Sequence, residues 1–151
     1  MYQRILVAVD GSDVSNHALR EAIDFAKDRQ AVLRLVHVID LAPLYRAVSS
    51  GVPIEDVEQA IVESGKGIVD DAAKQVTQAG LTAETALLRA NGERISTTIC
   101  NDAQRSGAEL IVIGTHGRHG LERLFLGSVA EGVARESRIP ILLVRGAVTT
   151  Q

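Results

Sequence analysis

Residues 5–9 (ILVAV) and 110–113 (LIVI) are apolar at every step. A strand with one wet face alternates polar and apolar side chains. A strand apolar throughout needs cover on both faces, and a parallel sheet between two helix layers supplies it. Three further strand-like runs lie at 31–39, 81–88 and 141–144. Helical patterns separate the five, at 13–27, 54–79, 92–105 and 129–137; in the first, Val14, Ala18, Leu19, Ala22, Ile23 and Ala26 fall on one face. The alternation β-α-β-α-β-α-β-α-β predicts one α/β domain over residues 1–151, with a doubly wound five-stranded parallel sheet. Ligands of such sheets sit beyond the carboxyl ends of the strands, where the strand order reverses. Asp10 follows the first apolar strand and Gly114 follows the fourth. If those strands are neighbours, the two loops share one crevice.

The punctuation between elements fits this plan. Ser12 suits an N-cap, Pro53 a first helical turn, and Gly80 and Gly107 helix ends. Gly65 and Gly67 weaken the middle of the longest helical pattern by up to about 1 kcal/mol each and mark a place for a kink. Arg34 interrupts the second strand and is expected to reach an edge or snorkel. His37, mid-strand, reads as a satisfied core histidine. Residues 40–53 form a longer connection with exposed Tyr45 and Arg46. The mixed polarity of 81–88 places that strand near an edge.

Sixteen basic against nineteen acidic residues give a net charge of −3, which does not favour a nucleic-acid surface. The charge is uneven. Residues 55–71 hold six acids and one lysine, whereas 118–145 hold five arginines and three glutamates. Cys100 is the sole cysteine, so no intramolecular disulfide forms, and its apolar neighbours mark it as a small buried residue rather than a nucleophile. The opening MYQRILVAVDGS is too short in apolar residues for a signal peptide or a membrane span. A soluble cytoplasmic protein is the expectation.

The connection after the fourth strand is long and glycine-bearing. Gly114 and Gly117 come first; after nine intervening residues stand Gly127 and Ser128, at the start of a helical pattern. Unpaired N–H groups at a helix N-terminus attract phosphate, and glycine lets the backbone approach a ligand. A second reading stands beside this one: turn glycines, with Ser128 and Glu131 forming a capping box. The spacing is neither a Walker A loop nor the G-x-G-x-x-G fingerprint. His116 and His119 are too few to specify a zinc site. No catalytic residue and no metal site is assigned.

Taken together, RILVAVDGS at 4–12, LVHVID at 35–40, and the pattern G-x2-G-x9-G-[S/T] followed by VAEGVARESRIPILLVR resemble the universal stress protein family over nearly the whole chain. The resemblance implies a Rossmann-like fold of the adenine nucleotide alpha hydrolase type, strand order 3-2-1-4-5. It implies a homodimer paired through the last strand, Ile141, Leu142, Leu143 and Val144. Members carrying the glycine pattern bind ATP, so ATP, with or without Mg2+, is the implied ligand. By position, Val9 and Asp10 would line the adenosine site, with the Asp10 carboxylate near the ribose. Val38 would meet adenine through its backbone. Gly114, Gly117 and Arg118 would flank ribose and phosphates, and Gly127, Ser128 and Val129 would cradle phosphate. The chain departs from the family at Arg89-Ala90-Asn91-Gly92, where a Gly-x-Pro-like helix entry is common.

The resulting expectation is an ATP-binding stress-response module that acts through nucleotide-dependent conformation and contact with a protein partner. Leu121, Leu124 and Phe125 in the glycine loop read as packing over the sheet edge. A slow ATP hydrolase is one alternative, although a good general base and a Walker lysine are both missing. A nucleotide-free dimeric adaptor is the other.

Overall fold

The computed structural model describes residues 1–46, 48, 51, 53–116 and 126–146. Its elements are β1 (Arg4–Ala8), α1 (Asp13–Lys27), β2 (Val32–Ile39), α2 (Ala42–Arg46), α3 (Ile54–Gln78), β3 (Ala83–Arg89), α4 (Ile95–Ser106), β4 (Leu110–Gly114), α5 (Ser128–Glu136) and β5 (Ile141–Val144). All four strand pairings are parallel, and the sheet order is β3-β2-β1-β4-β5. The expected alternation and order therefore hold. The short helix α2 lies in a stretch read as plain connection.

Strand periodicity distributes the core between two layers. Ile5, Val7, Leu33, Leu35, Leu110 and Val112 pack against Leu19, Ala22 and Ala26 of α1 and Val69, Ala72 and Val76 of α3. The alternate residues Leu6, Val36, Ile111 and Ile113 pack against Ile99 and Ala103 of α4 and Ala130 and Val133 of α5. Each apolar strand residue thus has a helix to face, as unbroken apolar runs require. β3 is an edge strand with no fully buried residue, in line with its mixed sequence. The chain winds toward β3 first and then, from β4, toward β5. The reversal falls between β1 and β4, which pair Leu6 with Ile111 and Val7 with Val112.

Two expectations change. Arg34 does not end in solvent but is held between carboxylates, with 19% of its side chain exposed. Its Nε and Nη2 donate to Oδ2 and Oδ1 of Asp102 on α4, at 2.7 and 2.8 Å, and its Nη1 lies 3.6 Å from Glu84. Arg4 pairs with the same Glu84 carboxylate. The hydrogen bonding of Arg34 to Asp102, ahead of any charge effect, pushes the guanidinium pKa further up, despite the opposing pull of burial. Helix α3 runs unbroken through Gly65 and Gly67, and Gly65 is buried against β2 and β3 instead of weakening an exposed turn.

Glu136, the last residue of α5, joins the two helices of its layer. Its carboxylate accepts from Ser96 Oγ at 2.8 Å and Thr97 Oγ1 at 2.7 Å, both in the first turn of α4. The hydroxyl of Thr97, then that of Ser96, holds the Glu136 carboxyl below the usual glutamate range. A carboxyl depressed in the folded state stabilises the fold above its unfolded pKa, and that contribution is lost as pH falls through the folded pKa. Between about pH 5 and pH 3 the wild type should therefore lose more stability than Glu136→Gln. Urea midpoints measured at both pH values test this, and equal losses would refute it. The nearby Cys100 thiol is raised, by burial first and by Glu136 second, so it stays protonated at neutral pH. No helix among the described residues is long and apolar enough to cross a membrane.

Candidate functional site

A cavity of about 500 Å3 opens at the carboxyl ends of β1, β2 and β4, within the range of roughly 300–1,000 Å3 usual for small-molecule sites. One wall is apolar, built from Val36 and Val38 of β2, Ile95 and Ile99 of α4, and Ile113 and Ala130. The other carries Asp10, Ser15, His37, Thr115, His116 and Ser128. Among the described residues the lining includes two carboxylates, Asp10 and Asp40, and no lysine or arginine.

The first wall owes its backbone chemistry to unequal strand lengths. Alternate residues of a parallel strand bond to opposite neighbours. In β2, Leu33 donates to Thr82 and Ile39 accepts from Ala90, both on the β3 side, while Val36 accepts from Val9 at 2.9 Å on the β1 side. Val38 is next in the β1-facing set. Because β1 ends at Ala8, the Val38 N–H and C=O face the crevice with no strand beside them. A donor and an acceptor side by side on an apolar wall suit the hydrogen-bonding edge of a heterocycle.

Two helix N-termini approach the other wall, and they differ. The start of α1 is closed by its own side chains. Asp10 Oδ1 accepts the Ser12 N–H at 2.9 Å, Ser12 Oγ accepts the Ser15 N–H at 3.2 Å, and Ser15 Oγ accepts the Asp10 N–H at 3.0 Å. At α5 the N-cap is Gly127, and no side chain among the described residues caps the helix. The capping box of the alternative reading is absent. Ser128 is the first helical residue rather than the cap, and Glu131 instead pairs with Arg135 at 2.6 Å. The first turn of α5 therefore offers N–H groups and the positive end of the helix dipole to an anion.

Glycine serves two purposes here. A Cβ on Gly127 would lie 3.0 Å from the Thr115 carbonyl oxygen, the same oxygen that accepts the Gly127 N–H at 2.7 Å. Thr115 in turn donates its N–H to Val144 at 2.9 Å, so one residue ties β4, β5 and α5 together. Gly114 is bare because α1 crosses it, with a Cβ there placed 2.7 Å from Val14 Cγ1.

Of the residues expected at the site, Val9, Asp10, Val38, Gly114, Gly127, Ser128 and Val129 all line this one cavity. Gly117 and Arg118 lie outside the described residues, as do His119, Leu121, Leu124 and Phe125. Ser15, His37, Thr115 and His116 also line the cavity and were not expected there. Ser15 sits at the third residue of α1, where a hydroxyl reaches back to the preceding turn; that position is readable once the cap is placed. Thr115 is buried, and its Oγ1 lies 3.0 Å from His116 Nδ1, while the buried His116 Nε2 has no partner among the described residues. His37 is satisfied, as expected, yet it also lines the cavity; its Nδ1 is 2.8 Å from the Val9 carbonyl oxygen. Among the described residues no group of three or more His, Cys, Asp or Glu forms a metal cluster.

The family model described as the universal stress protein family matches residues 1–145. The universal stress protein YxiE of Bacillus subtilis is 36% identical over 151 residues, covering 96% of this chain and 100% of that protein. A crystal structure of a universal stress protein family member from Burkholderia pseudomallei superposes with a TM-score of 0.78 at 33% identity, over 97% of each chain. The universal stress protein of Archaeoglobus fulgidus in complex with dAMP superposes with a TM-score of 0.68 at 26% identity, over 95% of this chain and 98% of that one. The similarity runs from the first strand through the last in sequence and in fold alike, and the chain belongs to the universal stress protein family.

Proposed function

We propose that this protein binds an adenine nucleotide in the crevice and acts as a cytoplasmic, homodimeric regulatory module whose conformation depends on occupancy. One observation carries the reading: a single cavity joins an open backbone edge, at Val38, to a helix N-terminus, at Ser128, that no described side chain caps. The first suits a purine edge and the second a phosphate. The spacer between them is lined by Asp10, whose carboxylate can accept from ribose hydroxyls. Gly127 fits the same assignment, since a side chain there would press on the Thr115 carbonyl and shift the start of α5. A structural neighbour holding dAMP supports the ligand class. ATP, with or without Mg2+, is the proposed physiological form, with Val9, Val38 and Val129 lining its path and Gly114, Gly117 and Arg118 flanking it.

The dimer part of the proposal rests on β5. It pairs only with β4 among the described strands, and Leu143 is 38% exposed. A short apolar strand with an open edge invites pairing with a second copy.

Mass spectrometry of denatured, freshly purified protein should release an adenine nucleotide. Calorimetric titration of stripped protein with AMP and ATP, each with and without Mg2+, should give saturable heat. Sedimentation of the same sample should report twice the chain mass. Absence of nucleotide together with no heat for either ligand would sink the binding claim and leave the nucleotide-free adaptor. Steady phosphate release that Asp10→Ala abolishes would instead make the protein a slow hydrolase.

A further inference from the structure

We infer that His37 is a positioning residue for the crevice: by occupying the Val9 carbonyl it leaves the Val38 N–H unpaired and available to a bound base. The nucleotide reading above is assumed in the last clause only. The ladder between β1 and β2 supplies the argument. Val9 N–H donates to Val36. The next rung of a continuing parallel ladder would run from Val38 N–H to Val9 C=O. That rung is missing among the backbone hydrogen bonds of the described residues, although Val9 and Val38 stand on adjacent segments at the end of the β1–β2 pairing. In its place the imidazole of His37 reaches across, with Nδ1 2.8 Å from the Val9 oxygen. A carbonyl oxygen only accepts, so Nδ1 carries the hydrogen.

Helix α3 keeps the ring in this position. Gly65 lies over it, and a Cβ there would fall 3.0 Å from His37 Cδ2 and 2.8 Å from Leu87 Cδ1. A Cβ there must displace the Leu87 methyl and crowd the imidazole, which has to give by a few tenths of an ångström. Ile61, one turn earlier on α3, lines the same cavity. The buried glycine in mid-helix thereby acquires a reason that helix propensity alone does not give. The His37 bond also fixes the peptide that leads into Asp10, so one imidazole sets both the base-facing edge and the position of the carboxylate next to it.

Amide exchange at Val38 tests the first half without any nucleotide. In ligand-free wild type the Val38 N–H should exchange at least about tenfold faster than the amides of the paired rungs, since it lacks the hydrogen bond that protects them. His37→Leu removes the donor, and the Val38 N–H should close onto Val9 and become protected. The same variant should weaken AMP about tenfold, the value of one hydrogen bond, while leaving ribose 5-phosphate within about threefold. His37→Asn restores a donor at the Nδ1 position and should restore both behaviours. Gly65→Ala, which shifts the ring and keeps its chemistry, should reproduce the His37→Leu pattern in weaker form and serves if that variant does not fold. Unchanged Val38 exchange with unchanged AMP affinity in His37→Leu and Gly65→Ala overturns the assignment. Equal losses for AMP and ribose 5-phosphate also overturn it, because they would mark general loosening of the fold. Should the wild type bind no nucleotide at all, the exchange data still decide what His37 does, and only the functional reading falls.

Discussion

Asp102→Ala is expected to destabilise the protein by about 3–5 kcal/mol, the range for breaking a buried ion pair from one side. The Asp102 side chain is 6% exposed, and it accepts two bonds from Arg34 in a fork-to-fork geometry. Its removal leaves the Arg34 guanidinium, with 19% of the side chain exposed, facing Glu84 at 3.6 Å as its remaining carboxylate among the described residues, already engaged by Arg4. The penalty is mostly that of an uncompensated charge rather than of lost attraction. A paired replacement, Arg34→Met with Asp102→Leu, should therefore restore most of the stability, because no buried charge remains. Urea unfolding of the two variants separates the accounts. A loss below about 1 kcal/mol for Asp102→Ala would show that water reaches the pair.

Gly127→Val should weaken nucleotide binding by about a hundredfold or more, equivalent to roughly 2.7 kcal/mol, while costing the fold only about 1–3 kcal/mol. Any Cβ there would press on the Thr115 carbonyl at 3.0 Å, where the obstacle is backbone and cannot rotate aside. The start of α5 must move outward, and the added methyl groups enter the space beside Ser128. Both changes act where the unpaired N–H groups lie, so affinity suffers more than stability. Calorimetric titration alongside a thermal melt reads the two separately. Affinity within about threefold of wild type would exclude the α5 terminus as the phosphate site.

The sheet was legible because its strands are extreme. Residues 5–9 and 110–113 admit no wet face, and that alone requires helices on both sides. The crevice followed, since Asp10 and Gly114 terminate the two strands that the winding leaves adjacent. What stayed hidden were interactions whose partners are remote or whose register is off by one. Arg34 could not be matched to Asp102, 68 positions later, by any local pattern. Ser128 and Glu131 have capping-box spacing, yet the helix begins one residue earlier than that motif needs, and Gly127 takes the cap. His37 was read correctly as satisfied, but only the geometry shows that its acceptor is the carbonyl at which a ladder stops. Gly65 looked like a weak point in α3 because its cost is local, whereas its benefit lies across the sheet.

The contrast between the two helix starts has a consequence for how the crevice responds to an occupant. Asp10, Ser12 and Ser15 satisfy one another before anything arrives, so that bank is set in advance and gains little from a guest. The opposite bank, at α5, has no side-chain cap among the described residues. Ordering on ligand uptake should accordingly be lopsided, with protection appearing at residues 127–130 and the turn at 10–15 registering almost nothing.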